Sequence, residues 1–186
     1  DPEKGGWGRQ KVAIGANVLF ELRRAAHGDK AALERARFTL EQQRALIDPV
    51  WGGVYQYSVG GGWDDPHFEK LMPFQAYNIE AYARGHAATG DPALLADARK
   101  IAAYLDAFLS NPEGAFLVSQ DADVGAHDRR ERFVDGHVYY RLGDAERRAL
   151  GIPRVDASVY GHENGLAIAA LCTLFEVSRD PAPLSR

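Results

Sequence analysis

The chain has 186 residues, enough for one domain with a sizeable core. Its 22 Lys and Arg stand against 26 Asp and Glu, a formal net charge of −4 with no basic block to meet a nucleic acid. The single cysteine, Cys172, excludes an internal disulfide and a CxxC pair, and no apolar run nears the roughly 18 residues of a membrane-spanning helix.

The opening DPEKGGWG carries no secretory signal. That points to the cytoplasm, with export left open because the start is abrupt. Apolar residues Val12, Ala16, Leu19, Phe20 and Leu22 predict a first helix over about 9–26. Ala13, Ile14 and Val18 occupy its other faces, so it reads as a buried helix. Gly28 stops it, and Asp29 caps the next. That second helix, about 30–47, is amphipathic: Leu33, Ala36, Leu40 and Ile47 form one stripe, and Glu34, Arg35, Arg37 and Glu41 cover the rest.

A long segment rich in glycine and aromatic residues follows at 49–77, the kind of loop that more often carries function than not. It leads into a second apolar, small-residue helix over 74–88. Thr89-Gly90-Asp91-Pro92 ends that helix and starts the next, with Pro92 at the first helical position. The fourth helix, 92–109, sets Leu94, Ala98, Ile101, Leu105 and Phe108 on one stripe. Residues 121–134 read as a charged solvent loop, GHVYYR at 136–141 as a short strand, and 144–150 as a short helix capped by Asp144 and stopped by Gly151 and Pro153. A third apolar helix enters at HENG and runs to Asp180-Pro181, with Cys172 expected as an inert core thiol.

These elements repeat. AAHGDKAALERARFTL aligns with AATGDPALLADARKIA, carrying Gly28 onto Gly90, and PVWGGVYQYS resembles PEGAFLVSQ. Repeated pairs of one buried and one amphipathic helix predict stacked αα-hairpins. The expected fold is all-α: a single domain over 1–186 with about three hairpins, part of an (α/α)6 toroid with buried helices inside and amphipathic ones outside. A superhelical solenoid is the alternative, but the connections at 47–72 and 110–157 are long for it. In a toroid both gather over the N-termini of the inner helices, which offer free N–H groups.

Three constellations there carry polar chemistry. In Pro66-His67-Phe68-Glu69-Lys70, the imidazole suits acid–base work, Glu69 is placed to orient it, and Lys70 to hold an oxyanion. The competing structural reading is a Glu69–Lys70 ion pair with His67 as a cap. In Ser119-Gln120-Asp121-Ala122-Asp123 the two acids either bind a cation or sugar hydroxyls, or cap a turn. In Tyr160-Gly161-His162-Glu163-Asn164-Gly165, polar groups enter an apolar helix and need partners or a cavity. Asn17, Asn78 and Asn164 recur early in successive inner helices, as cavity-lining amides or as helix-to-loop bonds. HExxH, EF-hand, Walker A, GxSxG and strand-to-helix GxGxxG patterns are missing, and neither a metal nor a cofactor is expected.

GGVYQYSVGGGWDDPHFEKLMPFQA resembles the thioredoxin-domain-containing proteins of the bacterial YyaL and spermatogenesis-associated protein 20 type. PHFEK at Pro66–Lys70, SQDAD at Ser119–Asp123, Asn164-Gly165-Leu166, and Gly52, Gly53, Tyr57 and Ser58 carry the resemblance. It implies the six-hairpin glycosidase-like toroid that follows a thioredoxin-like domain in that family. The redox domain and its cysteines are absent here, and about three hairpins stand where six make a ring. An open half-ring implies a partner, either a thioredoxin-like domain or a second copy. Related toroids include sugar 2-epimerases and glycoside hydrolases, so the resemblance implies a carbohydrate-active domain with a sugar or glycan ligand. On that reading His67 and His162 form the acid–base pair, oriented by Glu69 and Asp121. Tyr57, Trp51, Trp63 and Tyr77 offer flat faces, and Lys70, Gln120, Asp123, Glu163 and Asn164 bind hydroxyls. The alternative is a non-catalytic glycan- or protein-binding module.

Overall fold

The structure is a computed structural model that describes residues 1–127, 130 and 132–184. Five long helices dominate: α1 (Gly15–Ala26), α2 (Lys30–Gln43), α3 (Met72–Thr89), α4 (Pro92–Phe108) and α7 (Gly161–Ser178). Two short ones, α5 (Gly136–Tyr139) and α6 (Asp144–Leu150), lie in the last connection. α1 packs on α2 and α3, and α3 in turn packs on α4 and α7. The apolar inner helices α1, α3 and α7 therefore form one consecutive row, backed by the amphipathic α2 and α4. This is the arc of an α/α-toroid, with two complete hairpins and the inner helix of a third among the described residues.

The local chemistry of the hairpins follows the sequence closely. The Asp29 carboxylate accepts from Ala32 N–H at 3.0 Å and caps α2, and Asp91 accepts from Ala93 N–H at 2.9 Å and caps α4. Gly90 ends α3 in the left-handed conformation at φ 75°. Asp180-Pro181 repeats this arrangement. Arg179 takes the left-handed position at φ 57°, and Ser178 Oγ accepts from Asp180 N–H as Thr89 Oγ1 accepts from Asp91 N–H.

Six two-residue strands tie the connections together at the N-terminal ends of the inner helices. β1 (Lys11–Val12), β2 (Tyr57–Ser58) and β3 (Pro66–His67) form one antiparallel sheet, and β4 (Lys70–Leu71), β5 (Ser119–Gln120) and β6 (Val155–Asp156) form another. The second sheet is the first one, repeated. Lys11 faces Ser58 as Lys70 faces Gln120, and β3 and β6 each close five residues before the next inner helix. Gly53, at φ 75° between α2 and β2, lies so close to the Tyr104 ring that a Cβ would come within 2.6 Å of it.

Several sequence expectations are corrected. The first helix begins at Gly15 rather than near 9, because Lys11–Val12 is committed to a ladder with Tyr57–Ser58. The second stops at Gln43 and tightens into a 3-10 turn over Arg44–Leu46. GHVYYR is a helical turn, α5, whose first amides Asp135 caps, and α6 is capped from Gly143, not Asp144. The loop at 121–134 is less irregular than expected, because Val124 and Val134 exchange both backbone hydrogen bonds. Asp128, Arg129 and Glu131 of that loop lie outside the described residues. Cys172 is exposed, not buried, on a face of α7 that lines a concavity with Ile168, Pro183 and Leu184. None of the described helices is long and apolar enough to cross a membrane.

Candidate functional site

The second sheet joins the end of PHFEK to the start of SQDAD and to the strand that precedes HENG, while His67 lies in β3 of the first sheet. Lys70 of PHFEK pairs with Gln120 of SQDAD, and Gln120 pairs with Val155, six residues before α7 opens at Gly161. Met72 N–H donates to Val118 O at 2.8 Å and Asp121 N–H to Arg154 O at 2.8 Å, which fixes the sheet to the helix entrances.

PHFEK alternates like a strand, and the alternation divides its chemistry. Phe68 and Lys70 turn inward onto the same two rings, those of Tyr55 and Tyr140. His67 is exposed, its ring stacked on Tyr57 at 4.2 Å with an interplanar angle of 16°. Glu69 is half-buried, and its Oε2 is enclosed with no hydrogen-bond partner.

Lys70 sits in a cage that sequence reasoning did not foresee. Its Nζ donates to Asp48 Oδ2 at 2.8 Å and to Gly52 O at 2.9 Å, under the faces of Tyr55, Tyr104 and Tyr140. The same Asp48 oxygen accepts from Arg147 Nη1 at 2.7 Å. Arg147 also donates to the carbonyls of Tyr140 and Leu142. All three charged side chains are fully buried. Burial pulls Lys70 down to about 8 despite the adjacent Asp48 carboxylate. For Asp48 burial pushes upward, but Lys70 and Arg147 together outweigh it and hold the carboxyl below its usual range. The cluster joins the end of the first hairpin, PHFEK and α6 at one point.

Lys70 is thus a structural cation, withdrawn from any ligand rather than open to one. Gln120 is buried as well, accepting from Tyr104 O–H at 3.0 Å and donating to Pro153 O. Asn164 spends its amide on the backbone: Oδ1 accepts from Phe116 N–H at 2.8 Å, and Nδ2 donates to Phe116 O at 3.0 Å. Gln75 clasps Val54 in the same way, at 2.6 and 2.8 Å, and Asn78 bonds Ala13 O and Gln43. The amides of Asn78 and Asn164 are therefore helix-to-loop bonds. Trp63 is buried, donating to Lys4 O, and Trp51 turns inward to donate to Asp144. Neither presents the free face expected of it.

The remaining candidates stay accessible. Tyr77 is 37% exposed on the concave side of α3, in line with Glu80 and Arg84. His162 is exposed in the first turn of α7, and Glu163 is half-buried beside it. Asp121 Oδ2 lies 2.8 Å from His127 Nε2, and Asp123 Oδ1 accepts from Gly136 N–H at 2.7 Å, capping the approach to α5. His137 stands edge-on to Phe68, 3.5 Å from Asp65 and 3.3 Å from Asp135. Among the described residues no hydrogen bond or ring contact joins His67, Glu69, Asp121 and His162 to one another. No group of three or more His, Cys, Asp or Glu among them is arranged to hold a metal ion. Concavities of about 510 Å³ against α2, 250 Å³ between α4 and α7, 430 Å³ beside Gly60, and 300 Å³ beside Ile168 include none of these four residues.

No protein-family model matches the chain. It is 34% identical over 94 residues to spermatogenesis-associated protein 20 of Homo sapiens, half of this chain and 12% of that protein. Against the Mus musculus protein the identity is 29% over 147 residues, 76% of this chain and 18% of that protein. The chain is a distant homologue of these proteins over part of its length, and it spans less than a fifth of theirs. Among solved structures, the family 76 glycoside hydrolase (mannosidase) Bt3792 of Bacteroides thetaiotaomicron aligns with a TM-score of 0.68 at 13% identity, over 95% of this chain and 42% of that one. Cellobiose 2-epimerase of Spirochaeta thermophila gives 0.68 at 17%, over 98% and 45%, and a D-mannose isomerase gives 0.64 at 15%, over 99% and 43%. At these identities the match establishes the fold, a six-hairpin glycosidase-like α/α-toroid.

Proposed function

We propose that the chain is a carbohydrate-active domain whose site lies on the concave side, over the N-terminal ends of α1, α3 and α7. The observation that supports this reading is the sheet β4–β5–β6, which ties the end of PHFEK, the start of SQDAD and the strand before HENG together at the N-terminal ends of the inner helices. Structural neighbours that act on mannosides, cellobiose and mannose support the substrate class. Tyr77 and the Tyr57–His67 stack offer flat faces to a sugar ring. His67 and His162 serve as the acid–base pair, with Glu69 and Asp121 orienting them. Asp123 and Glu163 bind hydroxyls.

The test is incubation with reducing hexoses, cellobiose and α-mannosides in D2O, followed by NMR. Epimerisation or isomerisation exchanges the C2 hydrogen, and hydrolysis releases new reducing ends. His67→Ala and His162→Ala each lower turnover at least 100-fold while the circular dichroism spectrum is unchanged. Wild-type activity in both variants would sink the assignment.

A second reading is a glycan- or protein-binding module without catalysis. It is favoured by the commitment of Lys70, Gln120 and Asn164 to the scaffold. It predicts ligand-induced shifts at Tyr77 and Tyr57 with every sugar recovered unchanged, and binding that survives His67→Gln.

A further inference from the structure

The two small sheets repeat one device down to its buried cation. Lys11 Nζ is fully buried and donates to Asp1 Oδ2 at 2.7 Å and to Gly5 O at 2.9 Å. Lys70 Nζ does the same with Asp48 Oδ2 and Gly52 O, at 2.8 and 2.9 Å. Asp1-Pro2 and Gly5-Gly6 are spaced as Asp48-Pro49 and Gly52-Gly53. In each turn the first glycine N–H donates to the aspartate carbonyl at 3.0 Å. Next to the lysines, Val12 faces Tyr57 as Leu71 faces Ser119.

The third strands correspond too. A single shift along the chain carries His67 onto Asp156, Gln75 onto Asn164, Gly90 onto Arg179 and Asp91-Pro92 onto Asp180-Pro181. The later pairs agree in structure. Gln75 and Asn164 each clasp the backbone of a loop residue, Val54 and Phe116, and Gly90 and Arg179 both end their helices in the left-handed conformation. The first pair agrees in register: Tyr57 faces His67, and Ser119 faces Asp156. Asp156 thus stands before the entrance of α7 as His67 stands before that of α3, each closing its strand five residues ahead of the helix. Because α3 packs on α7, the two positions lie about one helix spacing apart, roughly 8–10 Å.

Asp156 is equipped to accept. Its Oδ1 takes the Ser158 N–H at 2.9 Å. The Ser158 hydroxyl and N–H hold the carboxyl below its usual range, so it is ionised at neutral pH. The side chain is partly exposed, and an ionised carboxylate has further lone pairs to offer.

We propose that Ser119 and Asp156 form a second subsite, which binds the hydroxyl groups of a sugar whose flat face lies on Tyr57 and His67. The first sheet supplies an apolar ring and an imidazole, and the second supplies a hydroxyl and a carboxylate in the same two places. A sugar carries both an apolar face and a rim of hydroxyls, and the pair of sheets matches both. This rests on the carbohydrate reading above and adds Asp156, which no motif singled out.

NMR titration of the ¹⁵N-labelled protein with cellobiose and with mannose tests it, using wild type, Asp156→Asn and Tyr57→Leu. One of the sugars is expected to shift the amides of Tyr57, His67, Ser119 and Asp156 together. Asp156→Asn is expected to weaken that binding by about 10-fold or more. An asparagine oxygen still accepts from Ser158 N–H, so the turn is kept and the circular dichroism spectrum is unchanged. Wild-type affinity in Asp156→Asn, or shifts confined to the first sheet, would overturn the subsite; with Tyr57→Leu weakened, the carbohydrate reading stands without it. If neither sugar shifts any of the four amides, that reading fails and the subsite fails with it.

Discussion

Asp48→Asn isolates the buried charge cluster. The substitution keeps the shape of the side chain and removes the one negative charge that Lys70 Nζ and Arg147 Nη1 share, at 2.8 and 2.7 Å. Two cations then remain in a dry volume, facing each other across an amide. Removing one partner of a buried ion pair typically costs about 3–5 kcal/mol, and a carboxylate that serves two cations belongs at the upper end. With an urea m-value of about 2 kcal/mol per molar, the unfolding midpoint falls by roughly 2 M. Lys70→Met is the internal control. It leaves Asp48 bonded to Arg147 and relieves the burial of an ammonium already pulled down to about 8. Its loss is correspondingly small, about 1–2 kcal/mol. Urea titrations followed by circular dichroism measure both. If Asp48→Asn lies within about 1 kcal/mol of wild type, or matches Lys70→Met, the cluster is not what holds these connections together.

The same groups set the pH response. Lys70 has a folded value of about 8 against 10.5 for a free lysine, so the unfolded chain binds the extra proton between them and stability rises with pH across that window. Buried Tyr55, Tyr82, Tyr104 and Tyr140 are pushed up from 10.0 by burial, so stability falls steeply once the unfolded chain ionises them above pH 10. Melting temperature against pH is expected to climb gently from 8 to about 10 and then drop, with the climb flattened in Lys70→Met; a monotonic fall from pH 8 would contradict the assignment. Gln75→Ala strands Val54 N–H and C=O in a buried place and is expected to cost about 2–3 kcal/mol, whereas Asn164→Ala, at a half-buried site, costs about 1. Hydrogen exchange at the Val54 and Phe116 amides separates the two, since each substitution deprotects its own amide alone.

The hairpins were legible because their signals are local. Asp29, Gly90 and Asp91-Pro92 act within a few residues, and the alternation of apolar and amphipathic helices fixes which lie inside. The buried cluster was not legible because its members lie 22 and 99 residues apart. The adjacent Glu69 offered Lys70 a counter-charge within the motif, and alternation along a strand turns the two side chains to opposite sides. Nothing in the sequence pointed to Asp48 over the other acids. The start of α1 is hidden because apolar residues at 12–14 fit a helix by spacing, while a ladder with Tyr57–Ser58 claims the two residues at 11 and 12.

The clearest lesson concerns PHFEK itself. As a string it places an imidazole, a carboxylate and an ammonium within four residues, which suggests a compact acid–base site. As a strand it distributes them to opposite sides: Phe68 and Lys70 anchor the core, and His67 is left at the surface on Tyr57. A motif of this kind is therefore two motifs read through one another. The inward half fixes the position of the backbone, through a cluster whose disruption is expected to loosen β4 and with it β5 and β6. The outward half is free to carry chemistry because the inward half holds it still. Lys70→Met and His67→Ala pull these roles apart. The first lowers stability and leaves any turnover of the folded fraction near wild type, while the second does the reverse. If both change stability alone, PHFEK is scaffold throughout and the proposed role of His67 is wrong.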